Sequence, residues 1–564
     1  MKKLLSVALA LVMVFSLNAL TACNSSGDNG TQTVIRVINF NGGVGTKWMK
    51  EAQARYAETV KDVEFQPGKK GVYFDNTETM NLQSATMNTQ GYHMYFDEAY
   101  SDIATLSQKG YLLDISDVVT QVNPYDSKII EDKLVEDYAG AMKGNDGKYY
   151  ALPHYEIYPG LSYDVELFDS ENLYFAAPEE TDIEPYSGEF GSANFIGSGT
   201  AKKSCGPDGV YETTDDGLPS SLEELIVLCD KMANVHTIQP ITVAGMYLHY
   251  ANYLFEGLWA SLAGYDEMVS NFTFDKEIEV ITDWTQANLF EGINYIKKPV
   301  TQKITVTEQT GYRNYDAAAR YYAAAFIEIL EHEKWMSEDS YSPNVSHIDA
   351  QSGVIFGGED SNPRIGMLVE GSYWYNESVD AGNFDDYYAY THKQNRNIAW
   401  MPLPVQLSGS VTEGHGRAPT LLDTGISAGF INVKVASDEG LTAACKDFMR
   451  FLYSDAELSH FTLACGSAKA LDYDLLPEDE AAMSDYYKTV WDLRKGEKRV
   501  VYSNGNNPTF RASRDDLKIQ TFVPVCKPFG NSSYLSAVRN GKSARECWEN
   551  TRRSAQGWQS VYKG

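Results

Sequence analysis

The segment that most constrains the fold joins a strand, a glycine turn and a helix in direct succession. Residues 33–39 (TVIRVIN) alternate and are rich in β-branched side chains, which predicts a strand. Residues 40–45 (FNGGVG) predict a tight turn, and residues 46–60 predict an amphipathic helix. Similar strand and helix patterns recur downstream, and this alternation indicates an α/β fold. Further strands are predicted over 92–96, 364–369 and 427–435, with a strand pair interrupted by Pro153 over 149–163. A helix and a loop are predicted over 103–113, and further helices over 221–233, 248–263, 315–336, 436–453 and within 534–562.

The composition and net charge of the chain exclude some classes of function. The 564 residues are 43% hydrophobic and 22% charged, which is typical of a globular protein and excludes disorder throughout. Asp and Glu number 77 against 47 Lys and Arg, so the net charge is −30. Nucleic-acid binding needs a basic surface, so this charge argues against a nucleic-acid partner. The same charge disfavours polybasic attraction to anionic lipid.

The first residues carry a targeting signal. Two lysines precede a mostly apolar run over residues 4–20, and Leu-Thr-Ala-Cys follows, ending at Cys23. A plain secretory signal ends at small residues without this cysteine, and the alternative is an uncleaved anchor helix. The pattern resembles a bacterial lipoprotein signal peptide with its lipobox. That resemblance implies removal of residues 1–22, lipid attachment at Cys23 and a polar tether over residues 23–32.

Six cysteines remain after Cys23. An even number in an exported protein permits up to three disulfides, and buried reduced thiols stay an equal alternative. No two of them have the C-x-x-C spacing of a metal or redox motif. They are Cys205, Cys229, Cys445, Cys465, Cys526 and Cys547.

One motif points toward an enzyme and another toward phosphate binding, and neither meets the requirements of its chemistry. Residues 425–429 match the G-x-S-x-G nucleophile pattern, which needs a strand-to-helix elbow and a histidine downstream. Residues 430–433 continue instead as a strand, and the only downstream histidine is His460. The glycine loop at residues 42–48 has neither Rossmann nor Walker spacing. We therefore interpret 425–429 as a small-residue strand that crosses between lobes.

An acidic, glycine-punctuated stretch predicts a structural calcium site. Calcium sites place several carboxylates on a loop with a glycine at the sharp turn, although the EF-hand spacing is not met here. The alternative is a solvated acidic turn, and no other cofactor is expected. The candidate ligands are Asp208, Asp215, Asp216 and Glu223.

Aromatic residues gather at or near the ends of predicted elements. Aromatic faces stack on sugar rings, and the alternative for any single ring is core packing. The run 373–375 (YWY) cannot lie entirely in a core, because neighbouring side chains on a strand or helix diverge. The set comprises Trp48, Tyr92, Tyr247, Tyr250, Tyr253, Trp259, Tyr373, Trp374 and Tyr375.

Several segments in order along the chain resemble the family 1 carbohydrate solute-binding proteins of bacterial ABC importers. Together with the lipobox, their order carries the resemblance. The segments are 39–48 (NFNGGVGTKW), 148–153 (KYYALP), 160–168 (GLSYDVELF), 367–374 (MLVEGSYW), 401–404 (MPLP), 430–432 (FIN) and 444–448 (ACKDF).

The resemblance implies a two-lobed, type II periplasmic-binding-protein-like fold. Each α/β lobe is then a sheet flanked by helices, and hinge strands join the lobes. Lobe 1 is expected to comprise residues 33–153 and 425–486. Lobe 2 is expected to comprise residues 154–424 and 487–564, with an insertion near residues 180–219.

The resemblance also implies the function. The protein would do no chemistry, capture a carbohydrate by hinge closure and deliver it to the transmembrane subunits of an ABC permease. We expect a monomer, held to the cell membrane by its lipid anchor only and facing outside the cytoplasm. The many tyrosines and tryptophans favour an oligosaccharide.

Two alternatives stay open. One is a cell-surface hydrolase that acts on glycans through Asp97, Glu98 or Glu370. The other is a binding protein for a peptide or other small solute. The ligand-binding residues implied by the resemblance follow the rule that ligands lie outside the carboxyl ends of strands. They are Asn41, Trp48, Asp97, Glu98, Tyr253, Trp259, Glu370, Tyr373 and Trp374.

Overall fold

A computed structural model describes most of the chain from residue 30 onward. The predicted signal peptide, Cys23, Glu98 and Cys526 lie outside the described residues. Those residues are 30–79, 87, 89–97, 103–247, 250–337, 340, 342–360, 362–394, 396–425, 427–495, 499–502 and 534–553.

Strands and helices alternate along much of the chain. The strands are β1 (Thr33–Phe40), β2 (Glu64–Gln66), β3 (Lys69–Lys70), β4 (Val72–Thr79), β5 (Met94–Asp97), β6 (Ala151–Pro153), β7 (Pro159–Asp164), β8 (Ile183–Gly188), β9 (Gly191–Ile196), β10 (Gln239–Val243), β11 (Glu277–Asn288), β12 (Lys297–Thr305), β13 (Ile365–Gly371), β14 (Ile398–Met401), β15 (Leu421–Asp423), β16 (Ala428–Ile431) and β17 (Val500–Tyr502). The helices are α1 (Lys47–Thr59), α2 (Ile103–Gln108), α3 (Ser116–Thr120), α4 (Ile130–Lys133), α5 (Glu136–Ala139), α6 (Val165–Ser170), α7 (Leu222–Asn234), α8 (Tyr250–Ala263), α9 (Tyr265–Thr273), α10 (Ala318–His332), α11 (His347–Ile355), α12 (Trp374–Asp380), α13 (Asn383–Thr391), α14 (Glu439–Leu452), α15 (Asp455–Cys465), α16 (Pro477–Ala482), α17 (Asp485–Arg494), α18 (Tyr534–Arg539) and α19 (Ala544–Arg553).

Lobe 1 is built on a five-stranded sheet with the strand order β4-β1-β5-β16-β6. β1 runs parallel to β4 and β5, whereas β16 runs antiparallel to β5 and β6. α14 packs on β1, and α1 packs on both α14 and α15. The late strand β16 therefore completes a sheet whose other strands all come from the first part of the chain.

Lobe 2 is built on a four-stranded sheet with the strand order β10-β13-β7-β14. β13 pairs with β10 in parallel and with β7 in antiparallel register. Every residue of β13 is buried, as expected for a strand covered on both faces. α8 and α11 pack on β13, and α17 packs on β14.

Among the described residues, three connections join the two lobes. They run from β6 to β7, from β15 to β16, and from α16 to α17. The two sheets flanked by helices form the two-lobed α/β architecture that the resemblance implied. The residue bounds assigned to each lobe stay a prediction.

Several elements differ from their predicted extents. The strand predicted over 427–435 ends at Ile431, because the Asn432 side chain accepts a hydrogen bond from the Lys434 N–H and starts a 3-10 turn, Val433–Ser437. The segment 103–113, predicted as a helix and a loop, is helical over Ile103–Gln108, and the helix predicted over 315–336 begins at Ala318. The region 180–219 contains the hairpin of β8 and β9.

The long hairpin of β11 and β12 has no counterpart among the predictions. Its register shifts between Ile281 and Asp283 and again between Trp284 and Asn288. Such shifts interrupt the two-residue alternation by which strands are recognised in a sequence.

Five of the six remaining cysteines lie among the described residues, and all five are free and buried. No disulfide therefore joins any two of these five. Any pairing that involves Cys526 stays untested, because that residue lies outside the described part of the chain. In that described part, no helix is both long and apolar enough to cross a membrane.

Candidate functional site

The glycine loop after β1 touches lobe 2 directly. The Gly43 N–H donates to Glu377 Oε1 at 2.9 Å, and the Asn376 side-chain amide donates to the Gly43 carbonyl at 3.1 Å. Gly43 and Gly45 have φ angles of +59° and +63°, which glycine adopts without strain. The predicted tight turn thus brings lobe 1 against the N-terminal end of α12 in lobe 2.

Three polar side chains of lobe 2 meet beside this loop, and we call them the acceptor cluster: Gln351 on α11, Glu370 on β13 and Glu377 on α12. Gln351 Nε2 donates to Glu370 Oε1 and to Glu377 Oε2, both at 3.4 Å. Glu370 Oε2 accepts a hydrogen bond of 2.8 Å from the Gly371 N–H. Gln351 and Glu370 are fully buried.

The environment of the acceptor cluster opposes negative charge. Burial raises the pKa of the Glu370 carboxyl well above its ordinary value, and the neighbouring negative charge of Glu377 raises this pKa further. Gln351 Oε1 is buried and has no hydrogen-bond partner. Since buried polar atoms are normally paired, Gln351 Oε1 is the atom here that a ligand donor could pair.

Tyrosines line the approach to the acceptor cluster. Tyr373 donates through its hydroxyl to the Tyr250 hydroxyl at 3.3 Å, and the Tyr253 and Tyr373 hydroxyls lie 3.4 Å apart. The His347 ring stacks on Tyr250 with centroids 5.8 Å apart and an interplanar angle of 8°. Tyr247, which is 38% exposed, contacts both of these rings. The rings therefore form a line from the surface to the buried carboxylates.

Three of the predicted ligand-binding residues meet at this place: Tyr253, Glu370 and Tyr373. Sequence reasoning noted Tyr250 among the aromatic residues without assigning it to the site. It missed Gln351, His347 and Glu377 altogether. Glu377 could have been found, since it lies in the first turn of the helix that directly follows the YWY run.

The three predicted tryptophans lie in the core of their lobes. Trp48 is 2% exposed and packs edge-on against Phe461 in lobe 1. Trp374 Nε1 donates to the Ser162 hydroxyl at 2.7 Å, and Trp374 and Trp259 are almost fully buried in lobe 2. Because buried rings present no free face, this conformation does not bring the three tryptophans into the site. Their contact with a ligand stays a prediction.

Two further predicted residues lie in lobe 1. Asp97 ends β5 and is 6% exposed. Asn41 is exposed in the glycine loop, where its N–H donates to the Thr79 carbonyl at 3.0 Å. The role of both residues in ligand binding stays a prediction.

Ser427, the serine of the G-x-S-x-G pattern, is a structural tether. Its buried hydroxyl accepts from the Tyr155 N–H and donates to the Tyr155 carbonyl, both at 2.7 Å. His460 is instead bonded to Asp479 at 2.8 Å. Ser427 therefore ties the connection from β15 to β16 to the connection from β6 to β7. This position agrees with the interpretation of residues 425–429 as a segment that crosses between the lobes.

The acidic stretch folds into a compact turn. Asp215 Oδ2 accepts from the Asp208 N–H at 3.0 Å, and Asp216 Oδ2 accepts from the Glu212 N–H at 2.9 Å. Glu223 accepts instead from the Gly409 N–H at 3.0 Å. Burial raises the pKa of Asp215 to about 6.

The carboxylates of Asp215 and Asp216 accept hydrogen bonds from backbone N–H groups of their own turn. Among the residues described, no group of three or more histidine, cysteine, aspartate or glutamate side chains is arranged to hold a metal ion. The calcium site stays a prediction, to be tested by titration.

Residues 42–191 match the model of one protein family, the bacterial extracellular solute-binding proteins. The matched segment contains the glycine loop, the first connection between the lobes and β7. No curated protein matches the chain.

Solved structures of solute-binding proteins share the fold. A chitin oligosaccharide binding protein is 14% identical, with a TM-score of 0.53, and the match covers 94% of this chain and 100% of that chain. A maltose-bound protein of T. maritima is 12% identical, with a TM-score of 0.50 and coverage of 93% and 99%. A raffinose-bound solute-binding protein is 13% identical, with a TM-score of 0.50 and coverage of 94% and 100%. At these identities the likeness shows the two-lobed fold.

Proposed function

We propose that this protein is the lipid-anchored substrate-binding component of an ABC transporter. It captures an oligosaccharide between its two lobes and delivers it to the permease. The observation that carries the proposal is the meeting of the lobe 1 glycine loop with the tyrosines and the acceptor cluster of lobe 2. The family match over residues 42–191 supports the solute-binding part.

The chemistry of the site suits a sugar. Tyr250, Tyr253 and Tyr373 offer apolar ring faces together with hydroxyls that donate and accept. Their mutual contacts of 3.3 and 3.4 Å are long beside the 2.7–2.8 Å usual for hydroxyl pairs. Sugar hydroxyls inserted among them would make shorter bonds. A site that is mostly apolar with a few convergent polar groups is the usual form of a small-molecule pocket.

Capture requires the lobes to open and close. The Gly43 contacts with Asn376 and Glu377 hold the two lobes together beside the tyrosines. Ligand enters when these two hydrogen bonds open, and closure around it follows the hinge mode of domain motion. The same closed form is what the permease receives.

The anchor belongs to the same proposal. Cleavage before Cys23 would leave a lipid-bearing cysteine at the start of a tether over residues 23–32, which places the monomer at the cell membrane, outside the cytoplasm. Mass spectrometry of the N-terminal peptide tests this placement. We expect diacylglycerol on Cys23, and an unmodified or uncleaved N-terminus would contradict it.

Thermal unfolding against a panel of mono- and oligosaccharides tests the binding function. A ligand at 100 times its Kd stabilises the protein by about 2.7 kcal/mol. We expect one sugar class to raise Tm and to be recovered intact. Tyr253→Ala should abolish the shift, whereas Tyr388→Ala, an exposed tyrosine on α13, should preserve it.

Two outcomes would overturn the proposal. Shortened sugars after incubation would indicate a hydrolase. A rise in Tm with peptides and with no sugar would indicate a peptide-binding protein.

A further inference from the structure

Asp423, the last residue of β15, lies where two connections between the lobes meet. Its Oδ1 accepts a hydrogen bond of 2.9 Å from the Ile157 N–H, in the connection from β6 to β7. The same oxygen accepts a bond of 3.1 Å from the Gly425 N–H, in the connection from β15 to β16. A hinge motion changes the backbone angles of such connections, so this carboxyl is bonded to the segments that move when the lobes open.

The charge of this carboxyl is not balanced by a cation. Asp423 is buried, and its second oxygen, Oδ2, is buried without a hydrogen-bond partner. Glu156, a second buried carboxyl, lies near enough for its negative charge to act on Asp423. Arg494 pairs with Glu156 at 2.7 Å and also donates to two backbone carbonyls. Among the described residues, no lysine, arginine or histidine forms an ion pair with Asp423.

The other titratable groups that face the two carboxyls are phenols. The Tyr158 and Tyr502 hydroxyls both donate to Glu156. Tyr502 is also the register partner of Asp423 between β17 and β15, and neither phenol supplies a positive charge. Burial raises the pKa of the Asp423 carboxyl well above its ordinary value, and the charge of Glu156 raises this pKa further. The carboxyl therefore keeps its proton in this closed conformation.

The connection that carries Ile157 borders the cleft between the lobes. A Cβ built on Gly43 would lie 3.5 Å from the Tyr155 hydroxyl and 3.5 Å from the Tyr373 ring. Tyr155 thus lies beneath the glycine loop, in the same connection as the N–H that bonds to Asp423. When the loop separates from α12, it also uncovers this connection, and water can then reach the hinge.

We propose that Asp423 is a proton switch in the hinge: its carboxyl is protonated while the lobes are closed and releases the proton to the solvent when they open. The inference rests on the proposed function and adds a regulation of lobe closure to it. A neutral carboxyl can remain between the two connections without a counter-charge, whereas a buried and unpaired carboxylate is costly. In the open form, water donates to Oδ2 and stabilises the carboxylate. Closure around a ligand therefore takes up one proton, and a high pH favours the open form.

A second buried titratable group lies at the same hinge and would act in the opposite direction. Lys469 Nζ donates to the His154 carbonyl at 2.8 Å, at the start of the connection from β6 to β7. Burial lowers the pKa of this amine to about 7, and hydration in an open hinge would favour its charged form. Below about pH 7 the amine is charged in both forms, so it contributes nothing to a pH effect there. The test of Asp423 therefore uses the window from pH 5 to pH 7.

Small-angle scattering of the whole protein without sugar follows the switch. One proton changes the ratio of closed to open protein by up to about 10-fold per pH unit. We expect the radius of gyration of the wild-type protein to rise from pH 5 to pH 7. Asp423→Asn is neutral at every pH, and its amide oxygen can still accept from Ile157 and Gly425, so its radius should stay small. Asp386→Asn, at an exposed position on α13, is the matched control and should behave like the wild-type protein.

Calorimetry gives a second measurement that does not depend on a variant. The probe is whichever of maltotriose, raffinose and a chitin trisaccharide raises Tm most. Titration of the wild-type protein at pH 6, in buffers of different ionisation enthalpy, should show uptake of up to about one proton per sugar bound. Asp423→Asn should take up correspondingly less. If this variant fails to fold, as judged by its thermal melt, the wild-type titration decides.

The failures are distinguishable. Equal radii of the wild-type protein and Asp423→Asn at every pH, or sugar binding without proton uptake, would overturn the switch and leave the proposed function in place. A wild-type radius that falls as the pH rises would also overturn it, because the direction of the effect would then be that of a base. Absence of a Tm shift with every sugar would overturn the proposed function itself.

Discussion

Glu156 and Arg494 form a buried ion pair where the two lobes join, with 2.7 Å between Glu156 Oε2 and Arg494 Nε. Arg494 also donates to the carbonyls of Lys469 and Leu471, both at 2.8 Å. Tyr502 donates to Glu156 Oε1 at 2.6 Å. The pair therefore links α17 of lobe 2 to the first connection between the lobes and to the segment of lobe 1 that follows α15.

Removing the cation of this pair should be strongly destabilising. Arg494→Met leaves Glu156 buried without its counter-charge, and we expect a loss of about 3–5 kcal/mol in the free energy of unfolding. Urea denaturation measures it. Lys303→Ala, which breaks the exposed pair with Glu277, is the control and should leave the midpoint unchanged. A loss below about 1 kcal/mol for Arg494→Met would contradict the role of the pair.

Gly45→Ala should weaken closure of the lobes. Gly45 has φ +63°, and a Cβ there would lie 2.5 Å from Asp380 Oδ2 and 3.3 Å from Asn376 Nδ2, so these side chains would have to shift and the Asn376 hydrogen bond to Gly43 would weaken. Gly68→Ala is the matched control, since φ is +76° and no atom lies within 4 Å of its Cβ. Both variants carry the backbone strain of about 1–2 kcal/mol, and only Gly45→Ala carries the clash.

Small-angle scattering measures whether the lobes of Gly45→Ala and Gly68→Ala differ in closure. We expect a larger radius of gyration and weaker sugar binding for Gly45→Ala alone. Identical scattering and identical affinity in the two variants would show that the loop does not control closure.

Asp215 should make stability fall as the pH rises from about 4 to about 6. Its pKa in the folded protein is raised to about 6, above the unfolded value of about 3.9, because burial opposes its charge. The folded state thus holds the proton of Asp215 more tightly than the unfolded state does. The contribution of Asp215 to the free energy of unfolding is therefore complete below pH 4 and is lost as the pH approaches 6. A shift of two units corresponds to about 3 kcal/mol.

Asp215→Asn isolates this contribution. Relative to the wild-type protein, its free energy of unfolding should rise across that pH window when measured by denaturant titration. If the predicted calcium ion binds at Asp208, Asp215 and Asp216, calcium should restore the wild-type stability at neutral pH and leave Asp215→Asn unaffected. A difference between the two proteins that is constant from pH 4 to pH 6 would refute the assignment to Asp215.

The capping box of α7 should contribute measurably to stability. The Ser221 side chain accepts from the Glu224 N–H at 3.1 Å, and the Glu224 carboxylate accepts from the Ser221 N–H at 3.3 Å. Ser221→Ala should cost about 1 kcal/mol in urea denaturation, whereas Ser221→Thr, which keeps a hydroxyl acceptor without adding a charge, should recover most of it. Equal stability of the two variants would contradict the capping role.

The elements that the sequence predicted well depend on local signals. β1 and α1 follow from alternation and from a turn that needs two left-handed glycines. α7 begins where Ser221 and Glu224 stand three residues apart, because its cap closes within one turn. The pattern at Ser427 could be read as a strand for the same reason, since the residues after it continue without an elbow.

The site was predicted only in part. Glu370 and Tyr373 could be named because they lie in one short segment that resembles a family motif. Trp48 was placed at the ligand by its position after the glycine loop, but β5 and α15 cover its ring in the core. Gln351 carried no signal, because nothing near it in the chain distinguishes it from any other helical glutamine.

The sequence by itself determined the α/β alternation, the glycine turn and the helix cap, since each depends on hydrogen bonds and periodicity within a few residues. Only the tertiary structure decided which side chains meet. Gly43 and Glu377 are 334 positions apart in the chain, and their contact exists because two separately formed sheets are joined by short connections. Contacts between residues so far apart in the chain depend on how whole helices and strands pack. A single sequence shows which residues are apolar enough to be buried, but it does not show which of them pack against each other.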